Sequence, residues 1–154
     1  MRDAVVARWG PEVAPNGAVD RAAVARRAFA SAEERAWLEA LLWPRVGARV
    51  QAWREVESAR TPAPPALVVE TPLLFEAGLE DRYDATLVVV TDEAIRAERA
   101  AARGHAAVDE RTARQLSQAE KAARADHVVR NDRDLAALEQ ELSRVLEKLT
   151  LSHR

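Results

Sequence analysis

One segment combines acidic, proline and apolar residues in a pattern that suits ligand binding. Residues 70–79, Glu-Thr-Pro-Leu-Leu-Phe-Glu-Ala-Gly-Leu, follow a short apolar run, Leu67–Val69, that predicts a buried strand. Ligands of open parallel sheets bind beyond the carboxyl ends of strands, so this segment is a candidate binding loop. Its position alone favours a simpler alternative, in which Leu73, Leu74 and Phe75 only fill the core.

Arginine is the second chemical signal, because its guanidinium grips phosphate or carboxylate oxygens in pairs. Only Lys121 and Lys148 are lysines among the 23 basic residues, so 21 are arginines. Arg96, Arg99 and Arg103 are spaced by three and four residues, which predicts one helical face able to clamp a polyphosphate. The alternative is a solvated face on which these arginines pair with glutamates, each pair contributing about 0.2–0.5 kcal/mol.

Other reactive side chains form no recognisable pattern. The histidines at positions 105, 127 and 153 lack metal-ligand spacing, and no cysteine is present, so we expect neither a metal site nor a thiol nucleophile. No G-x-S-x-G motif surrounds a serine, which disfavours serine hydrolases. Asn131 follows an apolar run and is a candidate for hydrogen bonding to a base, although asparagine is also common in turns.

Length and charge narrow the class of protein. The 154 residues, 48% of them hydrophobic and 31% charged, predict one globular domain. A formal net charge of -2 disfavours a general nucleic-acid binder. No apolar run approaches the ~18 residues of a membrane span, and no secretory signal is present, so we expect a cytoplasmic protein without nucleic-acid or membrane partners. The oligomeric state stays open.

The first half of the chain predicts helices. Asp20 and Ser31 are predicted N-caps, and Ser31 forms an S-x-x-E capping box with Glu34. Apolar residues after Ser31 recur every three or four positions, and we expect Pro44 to divide this stretch into two helices. The four tryptophans, at positions 9, 37, 43 and 53, are expected in the core rather than on a base-stacking surface.

The second half alternates apolar runs with helical patterns after the stiff connector Thr61–Pro65. Besides Leu67–Val69, the predicted buried strands are Ala85–Val90 and His127–Val129. The predicted helices are Asp92–Arg103 with Asp92 as N-cap, Asp109–Arg124, and a last helix opened by Asn131 and Asp132. This alternation predicts a parallel α/β sheet, and three strands are few for such a sheet, so we expect a further strand to belong to it.

The order of these pieces resembles the dephospho-coenzyme A kinase family. The matching residues are Phe29-Ala30, Leu41-Leu42-Trp43-Pro44, Val69 to Leu79, Arg99 with Arg103, Gln115 with Glu120-Lys121, Ala125-Asp126 and Asn131. The resemblance covers nearly the whole chain. It implies an α/β fold, a three-layer parallel sheet of P-loop kinase type with a helical acceptor-binding subdomain and a helical lid. The implied reaction transfers the γ-phosphoryl group of ATP, with Mg²⁺, to the ribose 3′-hydroxyl of dephospho-coenzyme A, the last step of coenzyme A synthesis.

The resemblance also implies a layout and a set of site residues. The layout comprises a coenzyme A-binding helical subdomain over 18–59, an α/β core over 66–103 and 125–154, and a lid over 104–124. The acceptor pocket would be lined by Pro72, Leu73, Leu74, Phe75 and Glu76. The ATP contacts would be Arg99, Arg103 and Asn131, with Asn131 beside the adenine.

The sequence departs from the family in its phosphate-binding parts. The family begins with a strand and a G-x-x-x-x-G-K-[ST] loop and places a catalytic aspartate after its second strand, whereas neither lysine here follows a glycine. We therefore expect an amino-terminally truncated chain whose Met1 falls downstream of both features. Such a chain has no catalytic residue or metal ligand of its own and negligible kinase activity alone.

Loss of the family's first strand also carries a structural expectation. We expect poor stability, abnormal pairing of Leu67–Val69 with Thr86–Val90, or a strand acquired from another chain. Two smaller departures are Trp43, where the family more often carries histidine, and Arg130, where aspartate is usual. The alternative functions are a non-catalytic domain that binds coenzyme A or a nucleotide, and a different nucleotide kinase.

Overall fold

The computed structural model describes residues 1–102 and 115–152, which fall into two compact units, Met1–Pro64 and Pro65–Arg154. The first unit contains α1 (Arg2–Trp9), 3-10 turns at Pro11–Val13 and Pro15–Gly17, α2 (Arg21–Ala28) and α3 (Ala32–Ser58). The second contains a 3-10 turn at Glu80–Arg82, β1 (Leu87–Val90), α4 (Glu93–Ala102), α5 (Gln118–Arg124), β2 (His127–Arg130) and α6 (Leu135–Ser152). The predicted α/β class is therefore confirmed. None of the helices in the described ranges is long and apolar enough to cross a bilayer.

Both predicted N-caps in the first unit are confirmed. The Asp20 carboxylate accepts hydrogen bonds from two backbone N–H groups in the first turn of α2, and the Ser31 hydroxyl accepts one from the Glu34 N–H at 3.1 Å. The Glu34 side chain does not complete the predicted box, because its carboxylate accepts hydrogen bonds from Arg8 and from the Trp9 indole N–H. Glu34 thus ties the start of α3 to α1.

The prediction of two helices joined at Pro44 is wrong, because α3 runs through that residue as one helix of 27 residues. Proline removes a single backbone donor, so only the Ala40 carbonyl loses its usual helical partner. The Arg45 guanidinium donates to the next carbonyl, that of Leu41, at 2.6 Å. One missing hydrogen bond between two long helical stretches is not enough to separate them.

The core of the first unit forms where α1 and α2 meet the first half of α3. Its buried residues are Val5, Trp9, Val13, Ala23 and Ala28. Trp37 of α3 packs edge-to-face on Trp9, with ring centroids 5.0 Å apart. Trp43 and Trp53 are 53% and 37% exposed, so the core prediction is wrong for these two. Both lie beyond the part of α3 that packs on this core.

The sheet consists of β1 and β2, paired in parallel from Leu87 beside His127 to Val90 beside Arg130. The predicted third strand, Leu67–Val69, is wrong. This segment lies outside any ladder within the described residues, and its Val68 is 82% exposed. A strand needs a neighbouring backbone to receive its hydrogen bonds, and β1 and β2 pair with each other instead. The abnormal pairing expected for Leu67–Val69 is absent there as well, whereas the expected poor stability stays a prediction.

Burial of the two strands differs from the sequence-based expectation. Val129 in β2 is 1% exposed, as predicted for a buried strand. Leu87 and Val89 in β1 are 39% and 47% exposed, and Val128 is 45% exposed. The apolar run therefore predicted strand formation correctly but overestimated burial, since a two-stranded sheet has too little neighbouring structure to cover both faces.

A threonine and an aspartate fix the amino ends of the two strands. Thr86 is buried, and both its N–H and its hydroxyl donate to one carboxylate oxygen of Asp126, at 2.8 and 2.7 Å. In return the Asp126 N–H donates to the threonine hydroxyl at 3.0 Å. These bonds lower the pKa of Asp126 below its ordinary value. The register set here brings the carboxyl ends of β1 and β2 out side by side.

Two helix starts differ from prediction. The polar helix predicted over Asp109–Arg124 falls outside the described residues as far as residue 114, and the described part begins only at Gln118, with Ser117 as its N-cap rather than on the helix. The last helix begins at Leu135, and Asp134 accepts a hydrogen bond from the Ala137 N–H at 2.8 Å. Asn131 and Asp132 do not open it, because the side chain of Asp132 bonds to the neighbouring strand end.

Candidate active site

The carboxyl ends of the two strands are joined beyond the sheet. The Asn131 N–H donates to the Val90 carbonyl at 2.8 Å, and the Asp92 N–H donates to the Asp132 carboxylate at 2.6 Å. The Asp132 carboxylate also accepts a hydrogen bond from Arg130. These two bonds, the one from the Asp92 N–H having the larger effect, lower the pKa of Asp132. Thr91 and Asp92 therefore lie beside Asn131 and Asp132 at one edge. That edge is where ligands of open parallel sheets bind.

Two residues predicted to contact ATP meet at this edge. Arg99, on α4, donates from Nη1 to the Asn131 carbonyl at 2.7 Å and from Nη2 to the Arg133 carbonyl at 3.2 Å. The structure thus brings Arg99 and Asn131 together, with the guanidinium holding the backbone that leads from β2 into α6. The third predicted contact, Arg103, lies outside the described residues.

Gln118 is a residue of this edge that sequence reasoning missed. Its side-chain amide pairs with both backbone groups of Thr91, accepting from the N–H at 2.8 Å and donating to the carbonyl at 2.9 Å. The amide takes the position that a neighbouring strand would occupy. The signal that could have located Gln118 is the S-x-x-E pattern of Ser117 and Glu120, which form a complete capping box and orient the first turn of α5.

The Pro72–Glu76 segment forms a helical turn that ends at a glycine. Gly78 has φ +61° and donates to the Phe75 carbonyl, while the Leu79 N–H donates to the Leu74 carbonyl at 3.0 Å. This pair of bonds is the Schellman arrangement, which glycine adopts without steric cost. The turn therefore has a defined shape without belonging to a regular helix.

The side chains of this turn divide between core and surface. Phe75 is 5% exposed, and the Arg124 guanidinium lies over its ring at 5.1 Å. The core-filling alternative thus describes Phe75 well. Pro72 is exposed, and Leu73 and Leu74 are half-buried, so the turn presents apolar surface on one side.

Glu76 forms the most extensive polar contact of the turn. Its Oε1 accepts from Lys121 Nζ at 3.0 Å and from the Leu116 N–H at 2.8 Å, while its Oε2 is buried without a partner in the described part of the chain. Burial raises the pKa of Glu76, but hydrogen bonds from its own N–H and from Leu116, together with Lys121, outweigh it and bring the pKa below the ordinary value. The side chain is therefore ionised at neutral pH.

Three consecutive residues connect the turn to the strand ends. The Leu116 N–H binds Glu76, and Gln118, two residues later, binds Thr91. Residues 116–118 consequently hold the predicted acceptor turn and the predicted nucleotide edge in one arrangement within the second unit. Arg99 and the half-buried Leu73 and Leu74 belong to this arrangement.

The described residues form no cluster of metal ligands. Over 1–102 and 115–152 no group of three or more His, Asp or Glu side chains converges on one point. The carboxylates of this region instead bond to N–H groups and cations of the chain, as Asp132 and Glu76 do.

Comparison with known proteins identifies the family. The dephospho-CoA kinase family model matches residues 1–137. The chain belongs to the dephospho-CoA kinase family. A Deinococcus radiodurans protein named dephospho-CoA kinase is 41% identical over 145 residues, which cover 92% of this chain and 69% of that protein. A Symbiobacterium thermophilum protein of the same name is 38% identical over 133 residues, covering 84% of this chain and 55% of that protein.

A solved structure supports the fold. The crystal structure of TT1252 from Thermus thermophilus shares 34% sequence identity with this chain at a TM-score of 0.74, covering 96% of this chain and 76% of the other. This chain spans 55% to 69% of the length of the two dephospho-CoA kinases described above.

Proposed function

We propose that this chain supplies residues that line the acceptor site and the nucleotide site of an ATP-dependent kinase. That kinase phosphorylates the ribose 3′-hydroxyl of dephospho-CoA. The observation that carries the proposal is the connection of the Pro72–Glu76 turn to the strand ends through residues 116–118. Phosphoryl transfer depends mainly on positioning the phosphoryl donor and the acceptor. A fixed connection between the Pro72–Glu76 turn and the strand ends suits this requirement. Family membership supports the choice of acceptor.

We assign the ATP contacts to residues at the strand ends and the acceptor pocket to the turn. Arg99 and Asn131 contact ATP, and Arg103, outside the described residues, joins them. The Pro72–Glu76 turn lines the acceptor pocket, where its exposed proline and half-buried leucines offer apolar surface. The proposed layout keeps a coenzyme A-binding subdomain at 18–59, a core at 66–103 and 125–154 that belongs to a three-layer sheet, and a lid at 104–124. Mg²⁺ is proposed on the ground of the family reaction alone.

A second candidate, binding without catalysis, is favoured by one observation. The 154 residues contain no G-x-x-x-x-G-K-[ST] sequence. In P-loop kinases that loop supplies the backbone N–H groups and the lysine that cradle phosphates. We propose that these residues bind the acceptor and that transfer requires a phosphate-binding loop in addition to them.

Calorimetric titration and an assay for ADP formation test the proposal together. Dephospho-CoA is titrated into the chain with and without ATP, and ADP is measured in the same mixtures. We expect acceptor binding with no ADP above the uncatalysed background. Absence of acceptor binding would contradict the proposed function, and ADP formation by these residues alone would contradict the need for a phosphate-binding loop.

An acceptor panel addresses the alternative of another nucleotide kinase. AMP carries the adenine and a phosphate but lacks the pantetheine arm of dephospho-CoA. We expect dephospho-CoA to bind at least tenfold more tightly than AMP, which corresponds to about 1.4 kcal/mol. Equal or tighter binding of AMP would favour a nucleoside monophosphate kinase.

A further inference from the structure

Helix α5 is bound to the segment containing the acceptor turn by two ion pairs. Lys121 pairs with Glu76 at 3.0 Å, and Arg124 pairs with Glu80 one turn further along both segments. The side chains of Lys121 and Glu76 are 19% and 14% exposed, against 43% and 27% for Arg124 and Glu80. The first pair is therefore largely withdrawn from water and the second is partly solvated.

The first pair also makes contacts that the second lacks. Lys121 Nζ donates to the Pro72 carbonyl at 3.1 Å as well as pairing with Glu76, so one ammonium holds both ends of the acceptor turn. The carboxylate oxygen that it meets also receives the Leu116 N–H. Turn, helix and the residues just before the helix are thus joined at a single point.

The orientation of Glu76 separates two roles. One of its oxygens is occupied by Lys121 and Leu116, and the other is buried inside the protein. A side chain committed in this way presents no free oxygen at the surface for a ligand. We therefore expect Glu76 to act on the acceptor pocket through the shape of the turn, while the other residues of the turn line the pocket.

We propose that Lys121 and Glu76 are positioning residues that hold the Pro72–Glu76 turn against the start of α5 and thereby set the shape of the acceptor pocket. The inference about the pocket rests on the proposed function, whereas the connection itself does not. Because the pair is poorly solvated, removing one partner leaves the other charged and buried, and the local arrangement must change. A solvated pair such as Arg144 with Glu141 on α6, whose side chains are 63% and 35% exposed, loses far less.

The test compares Lys121→Met with Arg144→Met in the full chain. Both substitutions remove one cation from an ion pair of the second unit and keep a long side chain. Two quantities are measured: amide hydrogen exchange at Leu116, and the dissociation constant for dephospho-CoA by calorimetry. In Lys121→Met we expect Leu116 exchange to accelerate at least tenfold and the dissociation constant to rise by about tenfold, since a released turn must be ordered again when the ligand binds.

The control and the conservative variant make the result specific. Arg144→Met is expected to leave both quantities within about twofold of the unaltered chain, as for other solvated pairs. Lys121→Arg, which keeps the charge, is expected to recover most of the affinity lost in Lys121→Met. Should Lys121→Met fail to fold, Glu76→Gln replaces it, because glutamine keeps an acceptor for Leu116 while removing the charge that attracts Lys121.

The possible outcomes distinguish the connection between the turn and α5, the positioning role of that connection, and the proposed function. Unchanged Leu116 exchange in a folded Lys121→Met overturns the connection. Faster exchange with unchanged affinity, or an equal loss of affinity in Arg144→Met, overturns the positioning role. If the unaltered chain binds no dephospho-CoA while Leu116 exchange still depends on Lys121, the connection stands and the proposed function is overturned.

Discussion

The two units of this chain are stabilised in different ways. In Met1–Pro64, three helices bury one apolar cluster around Val5, Trp9 and Val13. In the described part of the second unit, the buried hydrophobic residues are Phe75 and Val129, and polar contacts connect the two strands, α4, α5 and the acceptor turn. Those polar contacts are Thr86 with Asp126, Gln118 with Thr91, Arg99 with Asn131, and Lys121 with Glu76 and Pro72.

This difference indicates where the candidate site gets its shape. Apolar packing is non-directional and tolerates many geometries, whereas hydrogen bonds fix distances and angles. A unit that must hold an acceptor turn against a strand edge gains precision from directional contacts. The same contacts make the second unit more sensitive to changes of single polar atoms and of pH.

The largest expected effect is in the first unit. Trp9→Ala removes a buried indole from the cluster and should lower the free energy of unfolding of that unit by about 3–5 kcal/mol. All four tryptophans lie in Met1–Pro64, so chemical denaturation followed by tryptophan fluorescence reports this unit. The matched control is Trp43→Ala, at a half-exposed site, which should cost about 1 kcal/mol or less. Equal losses in the two variants would contradict the assignment of the core.

A polar substitution should have the next largest effect, in the second unit. Asp126→Ala leaves the buried N–H and hydroxyl of Thr86 without their acceptor, which costs about 1–3 kcal/mol. Amide exchange in β1 and β2 measures this loss. Asp126→Asn keeps an oxygen acceptor and should lose less. If the free energy of unfolding obtained from tryptophan fluorescence falls as much as that obtained from exchange in the strands, the stabilities of the two units are coupled.

Acid should weaken the second unit through several carboxyl groups. The pKa values of Glu76, Asp126 and Asp132 are lowered in the folded state, so each group stabilises the fold above its unfolded-state pKa of about 4 and loses that contribution as pH falls through the folded-state pKa. Between pH 7 and pH 5 we therefore expect little change, and below about pH 4 a steep loss. Amide signals of Val89 and Val129 followed during acid titration provide the measurement. Signals that persist well below pH 4 but are lost above pH 7 would contradict this prediction.

The smallest effect is expected at the end of the acceptor turn. Gly78 has φ +61°, where a Cβ atom costs about 1 kcal/mol, so Gly78→Ala should destabilise the second unit by roughly that amount. Gly78→Asn should cost less, because asparagine tolerates this conformation. Thermal unfolding of the two variants tests the ranking, and an alanine variant as stable as the unaltered chain would show that the turn does not need this backbone conformation.

Local signals predicted the parts of the fold that depend on neighbouring residues. Asp20 and Ser31 are N-caps as expected, and the run Ala85–Val90 contains β1. Prediction was wrong where the outcome depends on distant partners. Leu67–Val69 has the composition of a strand but pairs with no strand in the described ranges, and Pro44 is carried by the helix around it.

The candidate site shows the same division. Order and spacing singled out Arg99 and Asn131, which the structure brings into contact. Spacing did not reveal that Gln118 bonds to Thr91 or that Lys121 bonds to Pro72, because these pairs are 27 and 49 residues apart. The capping pattern of Ser117 and Glu120 marks where α5 begins but not what its side chains contact. The sequence places Glu76 in the loop after the predicted strand. It does not predict that the Glu76 side chain points into the protein, because that orientation depends on Lys121 and Leu116.

The most direct test of the central claim is calorimetric titration of dephospho-CoA into the unaltered chain, with AMP as the comparison ligand. If the Pro72–Glu76 turn lines an acceptor pocket beside the strand ends, dephospho-CoA binds at one site per chain and at least tenfold more tightly than AMP. No detectable heat with dephospho-CoA, or binding that AMP matches, would contradict the account.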